Sequence, residues 1–324
     1  MEENTEQRVD LTLFSEKIQE LKDRIASVIV GQEQTVDLVL TAILANGHVL
    51  IEGVPGVAKT LLARLTARLI DADFSRVQFT PDLMPSDVLG TTVFNMKTNG
   101  FDFHQGPIFA DIVLVDEINR APAKTQAALF EVMEERQISI DGTTHRMGDL
   151  YTILATQNPV EQEGTYKLPE AQLDRFLMKI TMDYPSLEEE VNILERHHTN
   201  AALVKLDDIT PAITKEELLS LRAFMNQVFV DRTLLQYIAL IVQQTRTSKA
   251  VYLGASPRAS VAMLQSSKAY ALLQGRDFVT PEDIKFVAPY VLQHRLILTA
   301  EAEMEGYSPV KVTQRLIDKV EAPK

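Results

Sequence analysis

Apolar side chains recur every three or four residues in several stretches of the chain. This spacing places them on one face of a helix, so each stretch predicts an amphipathic helix that packs on a core. Four such helices are indicated before residue 136: by Phe14, Ile18, Leu21, Ile25 and Val28; by Val36, Val39, Leu40 and Ile43; by Leu61, Leu62, Leu65 and Leu69; and over residues 121–135, with Pro122 near the first turn.

Five shorter apolar runs alternate with these helical stretches and predict buried strands. The runs are HVLIE (48–52), RVQFT (76–80), DIVLVD (111–116), YTILAT (151–156) and FLMKITM (176–182). Strands that alternate with helices favour a parallel sheet, so we expect an α/β fold.

Two dipeptides that favour tight turns interrupt this alternation. Asn99-Gly100 lies between TVFNMKT and FDFH, and Asp141-Gly142 lies between QISI and TTHRM. Both dipeptides suit two-residue hairpin turns. Because a doubly wound sheet does not need such hairpins, we expect them as insertions, near residues 90–106 and 137–147.

The pattern changes after about residue 184, where no strand pattern of any strength follows. Three segments there have the sequence of helix starts: SLEE (186–189), TKEE (214–217) and TPED (280–283). We therefore expect an α/β domain over residues 1–189 and a helical domain over residues 190–324, and two domains also suit the chain length.

Composition narrows the classes of protein that fit. The formal net charge is −13 at pH 7, which opposes attraction to nucleic acid or to anionic membranes. The longest apolar run in the second half, LLQYIALIV (234–242), is too short to span a bilayer. The absence of cysteine excludes disulfides, and the acidic N-terminus is unlike a signal peptide. We expect a cytoplasmic protein, with no membrane insertion and no nucleic-acid partner.

The segment GVPGVAKT (53–60) predicts a phosphate-binding loop between a strand and a helix. Lys59 would contact the β- and γ-phosphates of a nucleotide, and the Thr60 hydroxyl would bind Mg²⁺. Ala58 stands where the usual pattern has glycine. We expect Ala58 to have a negative φ and to turn its methyl group away from the phosphates, since a positive φ would count against a working loop.

Two further strand ends carry side chains that suit nucleotide hydrolysis. Asp116 and Glu117 stand at the end of the apolar strand DIVLVD, and such strand ends face the ligand site in α/β sheets. Asp116 can hold Mg²⁺, and Glu117 can orient and deprotonate the attacking water. Asn158, in ATQNP, can donate to the γ-phosphate or hold that water, although Asn-Pro alone would indicate only a turn.

Together these segments resemble the AAA+ ATPases, with GVPGVAKT as Walker A, LVDE as Walker B and ATQNP as sensor 1. The alanine before the lysine and four longer segments are similar to the MoxR family of that superfamily. The segments are FTPDLMPSDVLG (79–90), residues 106–135, ATQNPVEQEGTYKLPEAQLDRF (155–176) and GASPRA (254–259). The resemblance covers nearly the whole chain. It implies a three-layer αβα core with a parallel sheet, an all-helical lid, and two hairpins that correspond to the helix-2 insert and the pre-sensor-1 hairpin.

The resemblance also assigns two arginines. Arg175, in LPEAQLDRF, matches the finger that reaches into the neighbouring subunit's site, although a surface pair with Asp174 is the simpler interpretation without the family. Arg258, in GASPRA, matches sensor 2. Ser256 and Pro257 place Arg258 in a first helical turn, where a nearby phosphate would offset the unfavourable helix dipole. The sequence leaves open whether Arg258 acts in its own subunit or across the interface.

The segment IVGQ (29–32) resembles the part of the family that lines the adenine pocket, although a plain helix-to-helix turn explains it equally well. The expected catalytic residues are Lys59, Glu117, Asn158, Arg175 and Arg258, and the expected Mg²⁺ ligands are Thr60 and Asp116. The residues expected to contact ATP or ADP are Val30, Gly31, Gly53, Val54, Pro55, Gly56, Val57, Ala58, Lys59, Thr60 and Asp116.

These residues predict a Mg²⁺-dependent ATPase that works as an ATP-dependent hexameric ring, with a hinge near residues 184–190. The resemblance implies chaperone-like remodelling or maturation of partner proteins, often with von Willebrand factor A domains. Three alternatives are a nucleic-acid motor, the motor subunit of a metal chelatase, and a nucleotide-binding scaffold without turnover. The net charge of −13 opposes the first, the alanine loop and short chain oppose the second, and Glu117, Asn158 and Arg175 oppose the third.

Overall fold

A computed structural model describes residues 11–159, 164–199, 206 and 209–323. The N-terminal segment MEENTEQRVD and residues 160–163 of the motif ATQNPVEQEGTYKLPEAQLDRF lie outside these ranges. The strands are β1 (Val49–Gly53), β2 (Phe74–Gln78), β3 (Gly90–Asn95), β4 (Gly100–Gln105), β5 (Ile112–Asp116), β6 (Gln137–Ile140), β7 (Thr143–Arg146), β8 (Thr152–Gln157), β9 (Met178–Met182), β10 (Val251–Leu253) and β11 (Ile297–Leu298). The helices are α1 (Leu11–Val28), α2 (Glu33–Leu44), α3 (Lys59–Leu69), α4 (Pro85–Leu89), α5 (Ala123–Glu135), α6 (Glu170–Leu173), α7 (Leu187–His198), α8 (Lys215–Phe224), α9 (Arg232–Thr247), α10 (Pro257–Leu273), α11 (Pro281–Leu292), α12 (Ala300–Met304) and α13 (Pro309–Asp318).

The five predicted strands form one parallel sheet in the order β2-β5-β8-β1-β9. Successive side chains of a strand point to opposite faces. In β1, Val49 and Ile51 pack with α1, α2 and α3, whereas Leu50 packs with α5 on the other face. Apolar layers on both faces of the sheet give the expected three-layer α/β core.

Both turn dipeptides lie in antiparallel hairpins outside this sheet. β3 pairs with β4 and β6 pairs with β7. Asp141 and Gly142 have φ values of 49° and 79°, which a two-residue hairpin turn requires and which Asp-Gly adopts readily. Asn99 also has a positive φ, of 52°.

The C-terminal region is helical, with one exception. Capping boxes begin α7, α8 and α11, as the three predicted helix starts require. The expectation of a lid without strands is wrong, because β10 and β11 form a two-stranded antiparallel sheet. These strands have three and two residues, too few for an alternating pattern to be visible in the sequence.

The C-terminal helices pack directly on the α/β part. α10 contacts α2, and α11 contacts the edge strand β9. None of the helices in the described part of the chain is long and apolar enough to cross a membrane. The domain boundary at residues 189 and 190 stays a prediction.

Candidate functional site

The segment GVPGVAKT joins β1 to α3, in the strand–loop–helix arrangement that the sequence predicts. β1 ends at Gly53, and Lys59 and Thr60 are the first two residues of α3. The first N–H groups of a helix have no partner within the helix and can bind an anion. Lys59 Nζ donates to the Gly53 carbonyl at 2.5 Å, so the lysine side chain lies back across the loop.

Ala58 departs from the expectation. Its φ is 60° and its ψ is 21°, so the predicted negative φ is wrong. The chain turns into α3 at this residue through the left-handed conformation, which a glycine adopts without a Cβ clash and which costs an alanine roughly 1–2 kcal/mol. The helix still begins regularly, because the Leu62 N–H donates to the Ala58 carbonyl at 2.9 Å. The loop is therefore strained at Ala58, and such strain persists where the surrounding structure imposes it. The positive φ counts against a working loop by the expectation above, but the regular start of α3 keeps the first N–H groups of the helix in place for an anion.

The two carboxylates of LVDE lie at the carboxyl end of β5, where side chains of neighbouring strands hold them. Asp116 is 7% exposed and accepts from Arg76 Nε at 2.6 Å and from Thr156 Oγ1 at 3.1 Å. Glu117 accepts from Gln78 Nε2 at 2.7 Å. The sequence did not point to Arg76 or Gln78, which lie in β2 and become neighbours of these acids only because β2 pairs with β5.

Asn158 follows β8 directly and is buried. β8 lies between β5 and β1, and the three strands are parallel. The carboxyl ends of the three strands therefore share one edge of the sheet. The structure thus brings Asn158, Asp116 and the loop after Gly53 together, as the sequence predicts for one site.

A cavity of about 260 Å³ lies beside this edge, between the loop, the α1–α2 connection and α7. Val30 and Ala58 line it, together with Ile193 and Arg196 of α7, which the sequence did not indicate. Gly31 has a different neighbour: a Cβ there would lie 2.2 Å from Glu189 Oε1. The end of the Glu189 side chain can move aside, so glycine is favoured at this position mainly by its φ of 73°.

Arg175 and Arg258 lie at the opposite edge of the sheet. They border a cavity of about 480 Å³ whose lining includes Gly47 and Leu177, just before β1 and β9. β1 has five residues, and at about 3.3 Å per residue the two edges lie roughly 16 Å apart. Neither arginine therefore faces the GVPGVAKT loop of its own chain.

Glu134, at the end of α5, contacts both of these arginines. It pairs with Arg175, and its Oε1 lies 3.4 Å from a terminal nitrogen of Arg258. Arg175 also donates to the Phe130 carbonyl at 3.0 Å. A surface pair between Asp174 and Arg175 is not formed, because the Asp174 carboxylate lies 2.6 Å from Nε of Arg295.

Comparisons with known proteins agree with this arrangement. Residues 48–178 match the ATPase family associated with various cellular activities (AAA), and residues 243–318 match the AAA lid domain. A solved structure from Cytophaga hutchinsonii, described provisionally as an ATPase, is 40% identical with a TM-score of 0.89 over 97% of both chains.

Relatives similar over most of their length narrow the family. The uncharacterized protein YeaC of Bacillus subtilis is 47% identical over 93% of both chains. Chaperone MoxR1 of Mycobacterium tuberculosis is 44% identical over 92% of this chain and 80% of that protein, and Protein MoxR of Methylorubrum extorquens is 30% identical over 91% of both. The chain belongs to the MoxR family of AAA+ ATPases. Nucleotide binding follows from this membership.

In this MoxR-family protein, the cavity beside Arg175 and Arg258 is bordered by more arginines than the sequence indicated. Arg136 and Arg295 also border it, and burial lowers the pKa of both guanidinium groups, although the Asp174 carboxylate opposes this for Arg295. Four arginines from distant parts of the chain meet there. No spacing in the sequence could show this, because only the packing of the C-terminal helices on the sheet brings them together.

His48 lies against the same cavity and is buried. Burial and the nearby Arg136 lower its pKa to about 3, so the imidazole is neutral. Its Nδ1 accepts from the Ile153 N–H at 3.0 Å, and its Nε2 donates to the Met133 carbonyl at 3.1 Å. The ring therefore links β8 to α5.

Proposed function

We propose that this MoxR-family protein is a cytoplasmic enzyme that hydrolyses ATP with Mg²⁺ as a hexameric ring, and that it remodels or matures partner proteins. One observation carries the proposal: the GVPGVAKT loop and the carboxylates lie at one edge of the sheet, and the arginines at the other. One subunit cannot bring both sets to a single phosphate. A head-to-tail ring, in which the arginines of each chain meet the loop of the next, can.

The residues at the carboxyl edge fit a nucleotide with Mg²⁺. The Thr60 hydroxyl and the Asp116 carboxylate offer the oxygen ligands that Mg²⁺ prefers, and the ion usually takes its remaining ligands from water and phosphates. When bound, the ion supplies positive charge to the phosphates. Lys59 would contact the β- and γ-phosphates, Glu117 would accept the proton of the attacking water, and Asn158 would hold that water.

The opposite edge supports action across the interface for both arginines. The sequence left open whether Arg258 acts in its own subunit or across the interface. In the structure, Arg258 shares the Glu134 carboxylate with Arg175. We therefore infer that both reach the same phosphate of the neighbouring subunit. A guanidinium placed on the charge that develops there can raise the rate by about 10³-fold or more.

The first hairpin offers a surface for a protein partner. Phe101 is 73% exposed and Met96 is 88% exposed. The ring of Phe94 lies edge-on to that of Phe101, with centroids 5.2 Å apart. An exposed apolar cluster of this kind suits a polypeptide, whereas a nucleic-acid contact depends on basic groups. Partners with von Willebrand factor A domains belong to the proposal by family analogy alone.

The test uses the full chain with Glu117→Gln, in ATP and Mg²⁺. We expect this variant to bind ATP, to have the mass of a hexamer in solution, and to retain a partner protein from cell extract. A matched chain that also carries Phe94→Ser and Phe101→Ser should form the same ring and retain no partner. A monomer in ATP, or a wild-type chain without ATP turnover, would contradict the proposal.

A further inference from the structure

A side chain from the C-terminal region holds the turn that carries Arg175. Arg295 follows α11, and its side chain is 5% exposed. Its Nε donates to Asp174 Oδ1 at 2.6 Å, and its terminal nitrogens donate to the carbonyls of Phe176 at 2.7 Å and Leu177 at 3.1 Å. These partners lie on both sides of Arg175 in the sequence.

The two residues before Arg295 add to this contact. Gln293 Nε2 donates to the Lys179 carbonyl at 2.5 Å, and His294 Nε2 lies 3.0 Å from the Phe176 carbonyl. Burial lowers the pKa of His294 well below its ordinary value, so the ring is neutral and Nε2 carries the proton that it donates. Three consecutive side chains thus hold the segment 174–179.

Arg222 offers a comparison, because it makes contacts of the same kind elsewhere in the chain. It also joins the C-terminal region to the α/β part through carbonyls, those of Asp149 and Ile43, each at 2.6 Å. Neither carbonyl belongs to the turn around Arg175. The two arginines therefore make the same kind of contact, and they differ in whether the contact reaches that turn.

We propose that Arg295 is a positioning residue for Arg175. The proposal rests on the proposed action of Arg175 in the neighbouring subunit. By fixing the backbone on both sides of Arg175, Arg295 directs the Arg175 guanidinium toward the neighbour's phosphate. A catalytic group displaced by about 1 Å can lose about 100-fold in rate.

Arg295→Met should lower kcat by at least about 10-fold and leave the KM for ATP within about twofold, because the chain's own loop is not touched. Arg295→Lys keeps a charge near Asp174 but loses the planar fork, so we expect an intermediate kcat. Arg222→Met is the matched control and should keep kcat within about twofold. Binding of a fluorescent ATP analogue and the mass of the ring show whether each variant is folded. If Arg295→Met is not folded, Arg295→Lys takes its place in the mixing experiment.

Subunit mixing separates positioning from damage to the chain's own site. In an equimolar mixture of Arg295→Met and Glu117→Gln chains, about a quarter of the sites combine an intact Glu117 with an Arg175 held by an intact Arg295. We expect the mixture to hydrolyse ATP at about a quarter of the wild-type rate, which is well above the average of the rates of the two variants measured alone. A mixture of Arg175→Ala and Glu117→Gln tests action across the interface by itself. If this control recovers turnover and the mixture with Arg295→Met does not, the positioning role is wrong. If the control does not recover turnover, the proposed action of Arg175 across the interface is wrong, and the positioning role falls with it.

Discussion

The two edges of the sheet differ in what holds their charged side chains. At the carboxyl edge, Asp116 and Glu117 are held by Arg76 and Gln78, which belong to the adjacent strand of the same sheet. The opposite edge is formed by the amino ends of the strands, and we call it the amino edge. There, helix α5 holds the side chain of Arg175 and the C-terminal region holds the turn that carries it. The contacts of these two carboxylates with Arg76 and Gln78 follow from strand pairing, whereas the contacts of Arg175 depend on how the C-terminal helices pack on the sheet.

The difference shows how one chain can be complementary to a copy of itself. The chain has a formal net charge of −13, yet its amino edge gathers four arginines around one cavity, Arg136, Arg175, Arg258 and Arg295. In the proposed ring, the more exposed Arg175 and Arg258 would meet the phosphates bound by the next subunit, whereas Arg295 is buried against Asp174. This arrangement would give charge complementarity at the interface. Loss of an arginine should therefore affect the neighbour's site, and loss of a carboxylate the chain's own.

The largest effect is expected at the amino edge. Arg175→Ala should lower ATP turnover by about 10³-fold, because it removes positive charge from the transition state. Nucleotide binding should stay within about threefold of the wild-type value, since the loop lies at the other edge. Steady-state phosphate release and titration with a fluorescent ATP analogue measure the two quantities. The exposed Arg232→Ala is the control, and normal turnover of Arg175→Ala would contradict the assignment of the finger.

At the carboxyl edge, Glu117→Gln should lower turnover by at least about 100-fold and keep ATP binding, because it removes the general base and keeps the side-chain shape. The exposed Glu301→Gln matches the change in charge and should leave turnover unchanged. The same two assays apply. If Glu117→Gln hydrolyses ATP at the wild-type rate, the base lies elsewhere on this edge.

The carboxyl edge could be predicted from the sequence because its parts are local. The strand that ends at Asp116 is a continuous apolar run, and in a parallel sheet all carboxyl ends meet at one edge. The same reasoning located the loop before Lys59 and the residue Asn158. Roles for these residues stay predictions, but their common edge followed from elementary sheet geometry.

The amino edge could not be predicted in the same way. Glu134 lies on a surface helix and Arg295 follows a helix near the C-terminus, and nothing in their spacing relates them to Arg175. The φ of Ala58 was also predicted wrongly. The sequence of a turn does not determine its dihedrals when the flanking strand and helix set the direction of the chain, and here they impose a conformation that suits glycine better.

Buried His48 should make the amino edge sensitive to acid. Its pKa is about 3 in the folded chain and about 6.5 when unfolded, so between these values the unfolded state binds more protons and stability falls as the pH falls. From pH 7 to pH 5 this histidine should reduce the free energy of unfolding by about 2 kcal/mol.

His48→Gln keeps a donor and an acceptor but does not titrate, so the fall in the free energy of unfolding between pH 7 and pH 5 should be about 2 kcal/mol smaller than in the wild-type chain. Urea unfolding at the two pH values measures the difference. The exposed His104→Gln is the control and should keep the wild-type fall. An unchanged fall in His48→Gln would show that His48 does not stay neutral in the folded chain.

The smallest effect concerns the strain at Ala58. Ala58→Gly relieves the left-handed alanine but adds freedom to the unfolded chain, so we expect the free energy of unfolding to rise by about 0.5 kcal/mol. Gly56→Ala is the reverse control: Gly56 has a φ of 86°, and a Cβ there would meet nothing within 4 Å. Any loss of stability therefore reports the dihedral cost less the gain from the stiffer unfolded chain, with no contribution from a clash. Urea unfolding and ATP titration measure both variants.

Because a glycine loop and an alanine loop offer the same N–H groups, ATP binding by Ala58→Gly should stay within about threefold of the wild-type value. A large loss of affinity would mean that the Ala58 methyl group is part of the nucleotide contact, and the carboxyl edge would then depend on a side chain that the usual pattern lacks.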